Sequence, residues 1–293
     1  MKNFQRFLVF ISYVFILIGS ASCTKEESQA KEINKTPNLQ STGSSANDIL
    51  SNANFDRMLI EIAYVSGFRP REQTIDQFTN FLRQKTFKQE IEVQYLDLDS
   101  PDEEDLTLEE IVDLEKENRT AYNDGKTLAI YIYFADAPSE GDDMSEGLVT
   151  VGAVYRNTSM VIYEETIRRL ASQSTAISIT DIESATLNHE FGHLFGLVDL
   201  GTKMVNDHET QSENSDGELV GDNHCNVAGC LMRAELQLGR GTGKSSIADT
   251  SLKSICNLSG NTMMQLLQSK TGKNNTVDLG SECVLDLRAN GGR

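Results

Sequence analysis

The sequence predicts an α+β fold in which helices pack on a mixed, twisted sheet. Three observations support this. Strand-like and helix-like stretches alternate from residue 57 onward. One stretch, Thr127–Ala135 (TLAIYIYFA), is apolar and rich in β-branched and aromatic residues through its centre. The order is strand, helix, strand, helix, three strands and a final helix, which suits one sheet covered by helices. In chain order, Arg57–Val65 (RMLIEIAYV) reads as a strand and Arg71–Lys85 has helical spacing. Glu90–Leu98 alternates as a strand, and Leu106–Tyr122 reads as an acidic helix. After Thr127–Ala135, two shorter strands, Leu148–Tyr155 and Met160–Glu164, flank a turn at Arg156-Asn157. Asp181–Phe195 reads as a helix, with Asp181 as its N-cap and Ser184 in its first turn.

The chain has 293 residues, 39% hydrophobic and 24% charged, which suits a globular protein. Its formal net charge of −18 argues against a nucleic-acid partner, since a phosphate backbone repels such a surface. Much of the acidity lies in Asp97–Glu117. A solvated loop and helix face is one reading of that run; a cation site or a steering patch for basic substrates is the other.

The N-terminus has the pattern of an export signal. Lys2 and Arg6 precede Phe7–Ile18, a nearly unbroken apolar run too short to span a bilayer. Gly19, Ser20, Ala21 and Ser22 then lead into Cys23. This arrangement resembles a bacterial lipobox, which implies a signal peptide over 1–22, acylation of Cys23, and a lipid anchor in the cell envelope. An ordinary secretory signal is the alternative. Lys25-Glu26-Glu27 resembles the charged tag that directs some lipoproteins through the outer membrane to the cell surface. Residues 23–52, rich in Ser, Asn, Lys and Glu, read as a flexible tether, and 53–293 as one catalytic domain. Four further cysteines, Cys225, Cys230, Cys256 and Cys283, suggest two disulfides in an oxidising compartment. Of the three connectivities, Cys225–Cys230 with Cys256–Cys283 is favoured because the first pair is close in sequence.

The chemistry centres on His189-Glu190-Phe191-Gly192-His193. Histidines four apart share one helix face, so both imidazoles reach a single Zn²⁺. Glu190 then stands beside a zinc-activated water as general base, and passes the proton on to the leaving amine. Gly196 can adopt a positive φ and turn the chain back, which makes Asp199 a candidate third ligand. His208 competes with Asp199 for that place. His224, beside Cys225, reads more readily as a surface or supporting group, with ligation a lesser alternative. All four histidines of the chain fall within this window.

The stretch HEFGHLFGLVD resembles the zinc signature of the metzincin peptidases, with Asp199 where the family usually has His. Cys230-Leu231-Met232 resembles the family's methionine turn, and Cys225-Asn-Val-Ala-Gly-Cys230-Leu-Met232 is similar to the archaemetzincin pattern. The resemblance implies an active-site helix followed by a Met-turn subdomain, with Met232 as a floor under the metal rather than a core filler. It implies one catalytic Zn²⁺, peptide or protein substrates, and binding of extended substrate to an edge strand, either Leu148–Tyr155 or Met160–Glu164. Archaemetzincins continue to a CxxC that completes a second zinc site. This chain lacks the CxxC, so disulfides are the expectation here. A non-catalytic surface-binding lipoprotein on the same scaffold is the alternative, and the presence of Glu190 speaks against it. A metal-dependent hydrolase of non-peptide substrates is a third reading.

Overall fold

The computed structural model describes residues 33–143, 149–213, 217–233, 258–270 and 277–293. The signal peptide, Cys23, Leu148 and Cys256 lie outside them. The main sheet contains β1 (Arg57–Val65), β2 (Glu90–Leu98), β3 (Thr127–Ala135), β4 (Thr150–Arg156), β5 (Ser159–Tyr163) and the short β8 (Leu258–Ser259), in the order β2-β1-β3-β5-β4-β8. β2, β1, β3 and β5 run parallel, while β4 and β8 are antiparallel to their neighbours. A smaller antiparallel pair, β6 (Glu209–Glu213) and β7 (Leu219–Cys225), stands apart from this sheet. The predicted mixed sheet with packed helices is therefore the observed architecture.

Strand alternation sorts the core into two faces. Met58, Ile60 and Ile62 of β1 join Leu128, Ile130, Ile132 and Phe134 of β3 on one side. Ala63, Val65, Tyr131, Tyr133 and Ala135 face the other. The period of two in the sequence thus becomes two separate hydrophobic layers. The first layer is covered by α2 (Glu72–Lys85), α4 (Glu164–Ser172), α5 (Ile179–Leu194) and α6 (Gly260–Lys270). The second is covered by α3 (Leu108–Asn118), whose Ile111 and Val112 are buried there. Residue 164, assigned from sequence to a strand end, begins α4 instead.

The acidic run over 97–117 is mostly solvated, with Asp102, Glu103, Glu104 and Asp105 exposed. Glu115 is the exception. It is buried on α3, where it accepts from Arg119 at 2.7 Å and Arg156 at 3.0 Å. Pairing offsets the desolvation of a buried charge, which explains why this one acidic residue points inward.

Residues 34–50, read from composition as part of a tether, are packed into the domain. The Asn38 side chain is buried and donates to Asn123 Oδ1 and the Ala129 carbonyl, both at 2.9 Å. Ile49 and Leu50, in the short helix α1 (Ala46–Leu50), are buried in the first layer. Sparse apolar residues hid this, because buried side-chain amides do much of the anchoring. The C-terminal tail is similarly anchored. On α7 (Ser281–Ala289), Cys283 and Leu287 are buried, and Asn290 Nδ2 donates to the Phe195 carbonyl at 2.9 Å.

Candidate metal centre

α5 starts one turn earlier than the sequence suggested. Ser178 is the N-cap: its Oγ accepts from the Asp181 N–H at 3.2 Å, and Asp181 Oδ2 accepts from the Ser178 N–H at 2.8 Å. Asp181 is therefore the third helical residue of a capping box, an arrangement worth about 1 kcal/mol to the helix. Beyond this cap the helix is buried on most of its circumference, from Ile182 to Leu194 apart from Asn188. Phe191 meets Phe78 of α2 edge-on at 4.8 Å between ring centroids, which fixes the helix's rotation.

The helix closes in a Schellman motif. Gly196 has φ +72°, its N–H donates to the His193 carbonyl at 3.0 Å, and the Leu197 N–H donates to Gly192 at 3.2 Å. A Cβ at Gly196 would stand 2.8 Å from Thr202 Oγ1 and 3.0 Å from Ala46 Cβ, so both φ and space call for glycine. Val198 and Asp199 follow, also at positive φ (58° and 57°).

From this helix His189 and His193 turn their Nε2 atoms toward each other, 3.1 Å apart. His224, at the end of β7, completes a group whose ligand atoms all lie within 4.8 Å of one another. All three rings are buried. His224 stacks on His189 with 5.3 Å between centroids and meets His193 edge-on at 5.1 Å. The His189 Nδ1–H donates to the Leu231 carbonyl and that of His224 to the Asp222 carbonyl, at 2.8 and 2.7 Å. This tautomer leaves the lone pair on Nε2, the form in which imidazole ligates. Burial, reinforced by the charge of His224, lowers the His189 pKa to about 3. Burial and both neighbouring histidines lower that of His193 well below its ordinary value. The His189 and His193 rings are thus neutral at physiological pH.

The other two candidate third ligands lie elsewhere. Asp199 is exposed beyond the Schellman turn and is not grouped with the histidines. His208 belongs to a second cluster. The structure therefore groups His224, not Asp199 or His208, with the motif pair. The sequence signal for it was its adjacency to Cys225, immediately ahead of the methionine turn.

Glu190 is fully buried beside the pair. Burial holds its pKa well above the carboxylate range, eased by the facing Val154 N–H. Neither carboxylate oxygen closes a hydrogen bond of normal geometry to a described residue. β4 runs past it: a Cβ at Gly152 would stand 2.7 Å from Thr186 Cγ2 and 3.1 Å from Glu190 Cγ. Of the two strands considered for substrate, β5 has both edges paired, so only β4 has an outer edge. β8 already pairs with that edge at Thr150 and Gly152.

The turn at Cys230–Arg233 passes beneath the helix. Met232 is buried, its carbonyl accepts from the Cys225 N–H at 2.8 Å, and its side chain lies against Gly192. One turn thus supports Gly192 through Met232 and orients His189 through Leu231.

The second cluster gathers His208, Cys225 and Cys283, again with ligand atoms within 4.8 Å of one another. Cys230 Sγ lies 3.5 Å from Cys283 Sγ, and Cys283 Sγ lies 3.6 Å from His208 Nε2. The expected disulfides are not formed among the described cysteines: Cys225, Cys230 and Cys283 are all free. A sulfur separation of 3.5 Å is far beyond the bond length of about 2.05 Å. The Gly280 N–H donates to Cys230 Sγ at 3.2 Å, and the Val227 N–H to Cys225 Sγ at 3.4 Å. Hydrogen bonds from the Cys225 and Cys283 thiols, then from backbone N–H groups, lower the Cys230 pKa against the opposing effect of burial.

This chain matches no protein-family model and no curated protein. Among solved structures it is similar to the crystal structure of an archaemetzincin from Methanopyrus kandleri. The TM-score is 0.44 and the identity 12%, covering 81% of this chain and 96% of the other.

Proposed function

We propose that this chain is a zinc-dependent metallopeptidase with His189, His193 and His224 as ligands and Glu190 as general base. The observation that carries the reading is the buried three-imidazole group with an uncompensated carboxylate beside it. The donors fit zinc. Bonds of about 2.0–2.1 Å in a tetrahedron set the nitrogens about 3.3 Å apart. His189 and His193 hold theirs at 3.1 Å before any ion is considered. Three imidazoles, with no fourth protein donor grouped with them among the described residues, form the donor set of a catalytic rather than a structural site. When bound, the ion supplies Lewis acidity that acidifies water and polarises a carbonyl. Glu190 removes a proton from the attacking water and delivers it to the departing amine. A cation nearby favours its ionised form, against the effect of burial. The stretch of β4 from Val154 onward lies next to this carboxylate and supplies backbone groups to an extended peptide.

The second cluster fits a structural zinc held by Cys225, Cys230, Cys283 and His208, a closed set of three thiolates and one imidazole. Zn–S bonds of about 2.3 Å place sulfurs about 3.8 Å apart, close to the observed spacing. This structural ion stands beside the one catalytic ion read from sequence, and in place of the disulfides. The export pattern ending at Cys23 supports a lipid anchor that holds the enzyme in the bacterial envelope.

The test is to incubate the purified, zinc-loaded full chain with a diverse peptide library beside Glu190→Ala, and to read products by mass spectrometry. Cleavage by the parent that is lost in the zinc-loaded variant supports the reading. Absence of cleavage by a folded parent carrying zinc at the three histidines overturns general peptidase activity and favours a binding scaffold or a non-peptide hydrolase.

A further inference from the structure

His224 comes from a strand, and a regular strand would not present it to the helix pair. The β6–β7 ladder pairs Glu209 with Cys225 and Gln211 with Gly221. Between these pairs β6 has only Thr210, whereas β7 has Asp222, Asn223 and His224. A regular antiparallel ladder advances one residue for one. The surplus on β7 forms an enlarged bulge, a device that bends a strand and re-aims a side chain.

The bulge turns on Asn223, whose φ is +60°. Asparagine enters this left-handed region more readily than any other residue except glycine, and a β-branched residue is an outlier there. Three contacts hold the turn. The Asn223 N–H donates to Glu209 Oε1 at 2.7 Å. The Asn223 side-chain amide donates to the Val198 carbonyl at 3.3 Å, tying the bulge to the turn that follows the motif helix. Gly221 lies against the Glu209 carboxylate, where a Cβ has no room. Within the bulge, Asp222 Oδ1 accepts from the His224 N–H at 3.0 Å and the Asp222 carbonyl accepts from the ring Nδ1–H at 2.7 Å.

We propose that Asn223 and Glu209 are positioning residues that aim His224 at the motif histidines, Asn223 through its left-handed backbone and Glu209 by anchoring that backbone's N–H. This rests on the three-histidine reading. Both act through the direction in which the strand releases His224. Partners of this kind change metal affinity about 10- to 100-fold when removed.

The experiment measures zinc affinity by chelator competition on the full chain. Cobalt(II) spectra separate the imidazole site from the thiolate cluster, and thermal unfolding is followed alongside. The variants are Asn223→Val, Asn223→Gly, Glu209→Ala and His224→Ala. Asn223→Val and Asn223→Gly both lack the side-chain amide, so their difference isolates the backbone. The expected result is at least tenfold weaker binding at the imidazole site for Asn223→Val and Glu209→Ala. Asn223→Gly stays within about threefold of the parent, and the thiolate spectrum persists in all of these. Parent-like affinity in Asn223→Val, equal loss in the valine and glycine variants, or joint loss of both sites overturns the proposal. If His224→Ala leaves the imidazole site unchanged, the three-histidine reading itself fails, and the proposal with it.

Discussion

Gly192→Ala tests how the methionine turn supports the metal centre. Glycine inside a helix costs about 1 kcal/mol relative to alanine, so alanine would stabilise an isolated α5. The structure opposes that gain. A Cβ at Gly192 would stand 2.8 Å from Met232 Cε and closer still to Met232 Sδ. Met232 is fully buried, and its neighbour Leu231 carries the carbonyl that orients His189. Overpacking of this kind costs about 1–3 kcal/mol, which equals or exceeds the propensity gain. The expected net loss is about 1 kcal/mol, or about 2–4 °C in Tm for a domain of this size. Zinc affinity at the imidazole site falls as well, because displacing Met232 displaces Leu231. Urea unfolding and zinc competition on Gly192→Ala, Met232→Ala and the double variant provide the assay. Met232→Ala alone costs about 2–5 kcal/mol through its cavity, and the double variant recovers part of that. A Gly192→Ala protein more stable than the parent, with unchanged zinc affinity, would refute the packing argument.

Two further predictions concern other buried groups. Glu164 and Glu183 are buried together, with Arg168 donating to Glu164 at 2.6 Å and Thr74 donating to Glu183. Burial, then the neighbouring Glu183, raises the Glu164 pKa to about 9. The folded state therefore retains a proton that the unfolded chain releases near pH 4.5. This contribution to stability is fully present below about pH 4.5 and declines, with a limiting slope of about 1.4 kcal/mol per unit, as pH rises toward about 9. Glu164→Gln should flatten that decline in Tm-versus-pH profiles; parallel profiles would contradict it. Cys283→Ser should lower zinc content from two ions to one and destabilise the chain by several kcal/mol, as removal of a structural metal does. Retention of both ions would argue against the thiolate cluster.

The sheet was legible because burial on each face imposes a period of two. β2 matches its predicted span through that alternation and β3 through its unbroken apolar run, and β1 matches as well, because none of these patterns depends on a distant contact. The motif pair was legible because helix geometry alone brings His189 and His193 together. His224 was not. It lies on a strand whose pairing and bulge are tertiary facts, and left-handed Val198 and Asp199 carry the chain away from the helix before it returns. The cysteines misled for a related reason. An even count suggests disulfides, but Cys283 meets Cys230 only because α7 packs against the methionine turn, and the count does not reveal that His208 joins them. Residues 34–50 were hidden because hydrogen bonds of Asn38 and Asn157, which no hydropathy pattern records, do much of the anchoring.

The central claim is that His224 completes the catalytic metal site. Anomalous diffraction at the zinc edge, on crystals of the zinc-loaded full chain, tests it most directly. The account predicts one peak about 2.0–2.1 Å from Nε2 of His189, His193 and His224, and a second among the sulfurs of Cys225, Cys230 and Cys283 with His208. A peak that joins the motif histidines to Asp199 or His208, or no peak between the three imidazoles, would contradict it.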